Sequence, residues 1–167
     1  MTERLWAPWR MEFIREEHAA STTCFLCDYV GVVPSAGTLV LARRPHAYVV
    51  LNRYPYNPGH IMVVPNAHAK DPTELESGAS VALFQLLVDC IDALKRATRC
   101  QGINVGMNLG HASGAGVEDH LHIHLVPRWD GDSNFMSVIG DARVVPEALE
   151  QTRAHLAPWF EGLTLST

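Results

Sequence analysis

The segment HLHIHLVPR at residues 120–128 leaves the chain little freedom. Its side chains alternate with a period of two, which is the pattern of a β-strand with one face in a core. His120, His122 and His124 then share a face, roughly 7 Å apart along the strand. Leu121, Ile123 and Leu125 take the other face and require an apolar layer against them. A chain built around this strand is a sheet covered on its leucine side, with three imidazoles on the face left open.

The rest of the sequence supplies that architecture. TLVLAR (38–43), AYVVLN (47–52), HIMVVP (60–65) and GINVGMN (102–108) are β-rich runs, the first three separated by RPH and RYPYNPG, connections rich in Pro, Asn and Gly. From Asp71 to Arg99 the period changes. Val81, Phe84, Leu87, Val88, Ile91 and Leu94 recur at three- and four-residue steps, as on the buried face of one long amphipathic helix. Asp71 or Thr73 can cap its first turn, and Lys95, Arg96 and Arg99 suit the negative end of its dipole. A second helix is expected from Pro146 through EALEQTRAHL. Several strands, a long helix and further strands predict an α+β fold, an antiparallel sheet of about five strands backed by one long and one short helix.

At 167 residues and 47% hydrophobic content the chain is long enough for one core. Residues 1–20, carrying Trp6 and Trp9, are too short to own one and read as an arm; residues 21–167 read as a single domain. A net charge of −5 removes the long-range basic field that a nucleic-acid polymer or an anionic membrane would need. A small phosphorylated ligand needs only a local site. The start, MTERLWAPWRMEFIREEH, has neither the apolar run of a signal peptide nor that of an anchor, so a cytoplasmic protein is expected. A reducing compartment argues against disulfides among Cys24, Cys27, Cys90 and Cys100. Cys90 and Cys100, in or beside the helix, read as inert thiols.

Two chemistries suit a row of imidazoles. Neutral imidazole is a common metal ligand. It is also a nucleophile toward phosphorus, with neighbouring rings orienting it and handling protons. The loop LGHASGAGVEDH (109–120) favours the second, because Gly114 and Gly116 let backbone N–H groups approach a phosphate and Asn108 adds an amide donor. His111 lies in the same loop, within reach of a polyphosphate tail. His18, His46 and His155 need no special role.

HLHIHLVPRW resembles the signature of the histidine triad superfamily of nucleotidyl hydrolases and transferases, and YPYNPGHIMVVPNAH resembles the strand-turn-strand before its helix. With LWAPWRMEFI, CFLC and NLGHASGAGVEDH the likeness runs to about Gly140, and it is strongest toward the bacterial diadenosine tetraphosphate phosphorylase-like branch, itself similar to the fragile histidine triad hydrolases. The resemblance implies a homodimer acting on an adenine nucleotide or dinucleoside polyphosphate in two steps. His122 matches the nucleophile that attacks the α-phosphate, and water or inorganic phosphate then cleaves the nucleotidyl-histidine. His124, His120 and His60 match further catalytic positions. Asn108, Gly114, Ala115 and Gly116 match phosphate contacts, and Asn52 and Tyr56 match the region that meets base and ribose. Arg128 and Trp129 follow as part of PRW, at a structural, dimer or substrate edge.

Cys24-x-x-Cys27 is half of a zinc pattern and also a redox spacing. In zinc-containing members of the superfamily the ligands occupy positions like Cys24, Cys27, His68 and His120, so the resemblance implies a structural zinc. No catalytic cofactor is expected, and magnesium would enter only with the substrate polyphosphate. The rival readings are a nucleoside phosphoramidate or adenylyl-amine hydrolase, a nucleotide-binding signalling module with slow catalysis, and, more distant, a metal-dependent enzyme using the three histidines directly.

Overall fold

The computed structural model describes residues 24–114, 116–132 and 148–164. The arm at 1–20, with Trp6, Trp9 and His18, and Ala115 of the glycine loop lie outside these residues. Five strands, β1 (Val40–Arg43), β2 (Ala47–Leu51), β3 (Ile61–Pro65), β4 (Gly102–Gly106) and β5 (Ile123–Arg128), form one sheet in the order β1-β2-β3-β5-β4. Every neighbouring pair is antiparallel. Three short-range hairpin partners build one half. The chain then leaves the sheet through a long helix, returns as edge strand β4 and inserts β5 between β4 and β3.

Helix α1 is a single turn, Phe25–Asp28; α2 spans Ser77–Thr98 and α3 spans Leu149–Phe160. The leucine side of β5 behaves as its alternation demands. Leu121, Ile123 and Leu125 pack in one cluster with Val49, Ile61 and Val63 of the sheet and with Leu86, Leu94 and Phe160 of the covering helices. A smaller cluster of Leu26, Tyr48, Val50, Met62 and Val64 occupies the opposite face. There the Tyr48 hydroxyl donates to the Leu26 carbonyl at 2.6 Å, fastening α1 to the sheet. Histidine and apolar residues therefore share that second face.

The long helix differs from its sequence reading in two ways. It starts at Ser77, because Asp71 caps a separate 3-10 turn, Pro72–Glu74, its carboxylate accepting from the Thr73 N–H at 2.8 Å. It also carries two apolar stripes instead of one. Leu83, Leu86, Leu87, Cys90, Ala93 and Leu94 face the core, whereas Val81 and Phe84 are 69% and 65% exposed and Val88 is exposed beside them. Periodicity records that a helix has apolar residues a turn apart; it does not say which of two such stripes meets the sheet. By length and composition α2 could cross a membrane, but its inner stripe is committed to the sheet and Asp89 pairs with Arg44 at 2.7 Å. Lys95 and Arg96 lie in its last turn as expected, and Arg99 ends it in the left-handed conformation, its N–H returning to the Lys95 carbonyl.

Candidate active site

β5 proper begins at Ile123, yet the alternation extends back through His120. The open histidine face expected from the strand pattern is the main correction. His120 and His122 are 1% and 5% exposed, and His124 is half-buried. Residues from outside the sheet, α1 and the turn that delivers His60, cover the row.

That turn depends on Gly59. Its φ is +79°, and an added Cβ would lie 3.2 Å from Pro127 Cγ, so both conformation and space select glycine there. His60 follows, fully buried. Its Nδ1 faces the Tyr56 backbone N–H at 3.1 Å. A backbone N–H can only donate, so Nδ1 accepts and the neutral ring carries its proton on Nε2. Nε2 lies 3.0 Å from His124 Nδ1. His124 Nδ1 is therefore the acceptor, and the proton of neutral His124 sits on Nε2. Tyr56 stacks on the His60 ring with centroids 5.0 Å apart, and the Asn52 amide lies 3.3 Å from both of its nitrogens. The Asn52 amide is itself oriented by the Tyr54 N–H on its carbonyl oxygen at 2.9 Å. Asn52 and Tyr56 thus surround His60.

His122 is set the other way. Its Nδ1 lies 2.8 Å from the His120 carbonyl, which can only accept, so Nδ1 holds the proton and Nε2 keeps its lone pair. Burial pushes its pKa below the ordinary histidine value, against the opposing effect of that carbonyl. The His122 and His124 rings meet edge to face, 4.8 Å between centroids. One ring offers a lone pair and the next offers an N–H. A phosphoryl group between them would meet a nucleophile and a donor.

His120 faces elsewhere. Its Nε2 donates to the Pro65 carbonyl at 2.9 Å, which leaves Nδ1 as the lone-pair nitrogen. Nδ1 lies 3.4 Å from Cys24 Sγ and 3.5 Å from Cys27 Sγ, and His68 Nδ1 is 3.2 Å from Cys27 Sγ. These four ligand atoms all fall within 4.8 Å of one another. Two thiols and two imidazole nitrogens converging at that spacing fit a tetrahedral Cys2His2 metal site.

The glycine loop runs through a 3-10 turn, His111–Ser113, to Gly114 at φ +73°, a conformation that favours glycine. Gly116 is exposed. His111 is held by Glu118 at 2.6 Å, which raises its pKa, the hydrogen bond contributing most. Asn108 and His124 line a common cavity of about 400 Å³ between β4, β5 and the Tyr56–Asn57 turn. Asn57 and Asp132 are participants that the sequence reading missed. Asn57 is buried and donates to both the Pro127 carbonyl and Asp132 at 2.9 Å. Nothing in their spacing signals this, because the contact joins positions 75 residues apart.

A family model described as the HIT domain matches residues 34–131. AP-4-A phosphorylase of Mycobacterium tuberculosis is 40% identical over 164 residues, covering 93% of this chain and 83% of its own length. An uncharacterized HIT-like protein of Saccharolobus solfataricus is 30% identical over 106 residues, covering 58% of this chain and 76% of its own. Among solved structures, a zinc-bound histidine triad family protein from Mycobacterium smegmatis superposes with a TM-score of 0.67 at 22% identity, covering 86% of this chain and 97% of that one. A hypothetical histidine triad nucleotide-binding protein from Sulfolobus tokodaii gives the same score and identity over 84% and 93%. With strand order, histidine row and sequence in agreement, the chain belongs to the HIT domain family.

Proposed function

We propose that this protein is a nucleotidyl hydrolase or phosphorylase that cleaves dinucleoside polyphosphates such as diadenosine tetraphosphate at the α-phosphate, through a covalent nucleotidyl-histidine on His122. The observation that carries this reading is the opposed hydrogen bonding of adjacent rings, His122 through Nδ1 to the His120 carbonyl and His124 through Nδ1 to His60, which assigns a lone pair to His122 Nε2 and an N–H to His124 Nε2. The 40% identity to an AP-4-A phosphorylase supports the substrate class.

In the first step His122 Nε2 attacks the α-phosphorus, a P–N bond forms and the P–O bond to the leaving nucleotide breaks. His124 hydrogen-bonds to the leaving oxygen. Throughout, the His120 carbonyl holds the Nδ1 proton of His122 and so stabilises the imidazolium character that the ring acquires. Asn108 and the Gly114–Gly116 loop are suited to the phosphoryl oxygens. Water or phosphate then restores His122. Zinc held by Cys24, Cys27, His68 and His120 would be structural, tying α1 to the start of β5.

The exposed Val81–Phe84–Val88 stripe and the edge position of β4, with Val105 and Met107 exposed, support a homodimer. The setting proposed is reducing and cytoplasmic, where Cys24 and Cys27 keep the thiols that a zinc site needs. Phe84→Glu should lower the sedimentation mass toward one chain; an unchanged dimer would move the interface off α2, and a monomeric parent would remove it.

Product analysis tests the reaction. With diadenosine tetraphosphate alone the expected products are AMP and ATP; with inorganic phosphate ADP replaces AMP. An alkali-quenched reaction should contain labelled adenylyl-protein. Turnover without that species would overturn the covalent route.

A further inference from the structure

The cavity beside His124 has a composition that the first displacement alone does not explain. Strand alternation carries the histidine face onward, from His124 to Val126 and Arg128, and all three line the cavity. Across the ladder Gly106 pairs with His124 and Asn104 with Val126. Gly106 brings no side chain, and a Cβ there would meet nothing within 4 Å, so the floor opposite His124 is open. Among the lining residues Arg128 is the one permanent charge, and none is an acid.

Arg128 is also fixed in direction. Its Nε and Nη2 donate to the two oxygens of Asp132 at 2.5 and 2.8 Å, and Nη1 donates to Asn104 Oδ1 at 2.9 Å. Asp132 is held in turn by Asn57 and by the Trp129 N–H, and Arg128 beside it keeps its carboxyl well below the usual carboxylate range. A guanidinium has five N–H groups, so two remain. Because Asn104 accepts through its oxygen, its NH2 remains a donor, and the Asn108 amide has no hydrogen-bond partner among the described residues. The result is a preorganised set of donors, Asn104 one alternation step and Arg128 two along the sheet from the leaving-group histidine.

In-line displacement puts the acceptor of the second step where the leaving group departed, opposite His122. We propose that this cavity is the subsite for the acceptor anion, inorganic phosphate, held by Arg128 and Asn104 beside the phosphoryl group that Asn108 contacts, and that Arg128 sets the preference of the adenylyl-enzyme for phosphate over water. This rests on the covalent reading above. In the step, a phosphate oxygen forms a P–O bond to the α-phosphorus and the P–Nε2 bond breaks, its electron pair returning to His122 as neutral imidazole. An attacking phosphate oxyanion has no proton to lose, whereas attacking water does. A bound oxyanion therefore competes with water without a base.

Two measurements on the full-length protein test this. Partition of labelled adenylyl-enzyme between ADP and AMP is followed against phosphate concentration, and nucleotide-free protein is titrated with inorganic phosphate by 31P line broadening. Arg128→Gln should raise the phosphate needed for half-maximal ADP about tenfold, the effect of one lost charged hydrogen bond, and weaken the titration, with the adenylyl-enzyme still formed. Arg128→Lys should recover part of the loss. Should Arg128→Gln fail to fold, Asn104→Ala removes a donor and should give a severalfold shift at unchanged sedimentation mass, a control needed because Asn104 lies on β4, the strand offered above for the dimer. Identical partition in variant and parent overturns the proposal, and so does a change confined to the KM for dinucleotide, which would assign the subsite to the leaving polyphosphate tail. If the parent forms no adenylyl-enzyme, the covalent reading falls separately; the phosphate titration then decides the subsite, with equal binding by Arg128→Gln overturning it.

Discussion

Two neighbours in the histidine row, His120 and His122, are the same side chain and present opposite nitrogens. At one end His120 gives its Nε2 proton to the Pro65 carbonyl and turns Nδ1 toward two thiols. Two residues on, His122 gives its Nδ1 proton to the His120 carbonyl and keeps Nε2 as a lone pair. Alternation puts both rings on one face; the carbonyl that each ring meets decides which nitrogen is left to react. The proposed metal ligand and the proposed nucleophile are therefore distinguished by hydrogen bonding to the backbone, a difference that identical residue types cannot express.

The strongest way to break this comparison is His122→Asn, which removes the lone pair that the His120 carbonyl positions. Turnover should fall at least about a thousandfold, with the labelled adenylyl-protein gone and nucleotide binding by calorimetry largely kept. Retained turnover would mean that His120 and His122 do not divide the chemistry as described.

At the sulfur end the expected loss is stability. Cys24→Ser should lower the zinc content of protein purified without added metal and reduce the melting temperature by about 10 °C, the order expected for ~3 kcal/mol in a chain of this size. A chelator should reproduce the shift in the parent. Unchanged metal content would remove the ligand assignment. In His60→Ala the donor to His124 disappears, and kcat should drop about tenfold to a hundredfold, with zinc content unaltered. A parallel loss of zinc would show that the two ends are coupled.

The smallest effect belongs to the loop before the row. Glu118→Gln should bring the His111 pKa down toward the ordinary value, read by NMR titration of the ring protons, because Glu118 is what raises it. A raised folded-state pKa means that the pair supports the loop fully below the ordinary histidine pKa and loses that support as pH climbs through the raised one. Loop order should therefore weaken on the alkaline side in the parent and lose this pH dependence in the variant.

Much of the fold is legible in the sequence. The strands around Val40–Arg43, Ala47–Leu51, Ile61–Pro65 and Gly102–Gly106 are short apolar runs bounded by turn residues, and local pattern is enough to find them. The four candidate ligands, Cys24, Cys27, His68 and His120, follow from the resemblance, and the fold brings them together. The pattern locates helix α2 and its terminal cations, but it places the outer stripe in the core, because Phe84 and Leu87 look alike until the sheet chooses one side. The open histidine face was also wrong, since the strand pattern holds no information about α1 or the Gly59 turn closing over it.

What the sequence by itself determined is the alternation that sets three imidazoles against three apolar residues, and with it a sheet, a covering layer and a chemistry of nitrogen lone pairs. Those follow from covalent geometry and period, which are local. The tertiary structure alone decided the tautomers, the burial of His120 and His122, and the Asn57–Asp132–Arg128 brace. Most depend on a hydrogen-bond partner brought by another segment, as Pro65 meets His120 across 55 residues, and such partners exist only once the chain has closed around them; the His122 tautomer is set two residues away, by the backbone course that the sheet imposes.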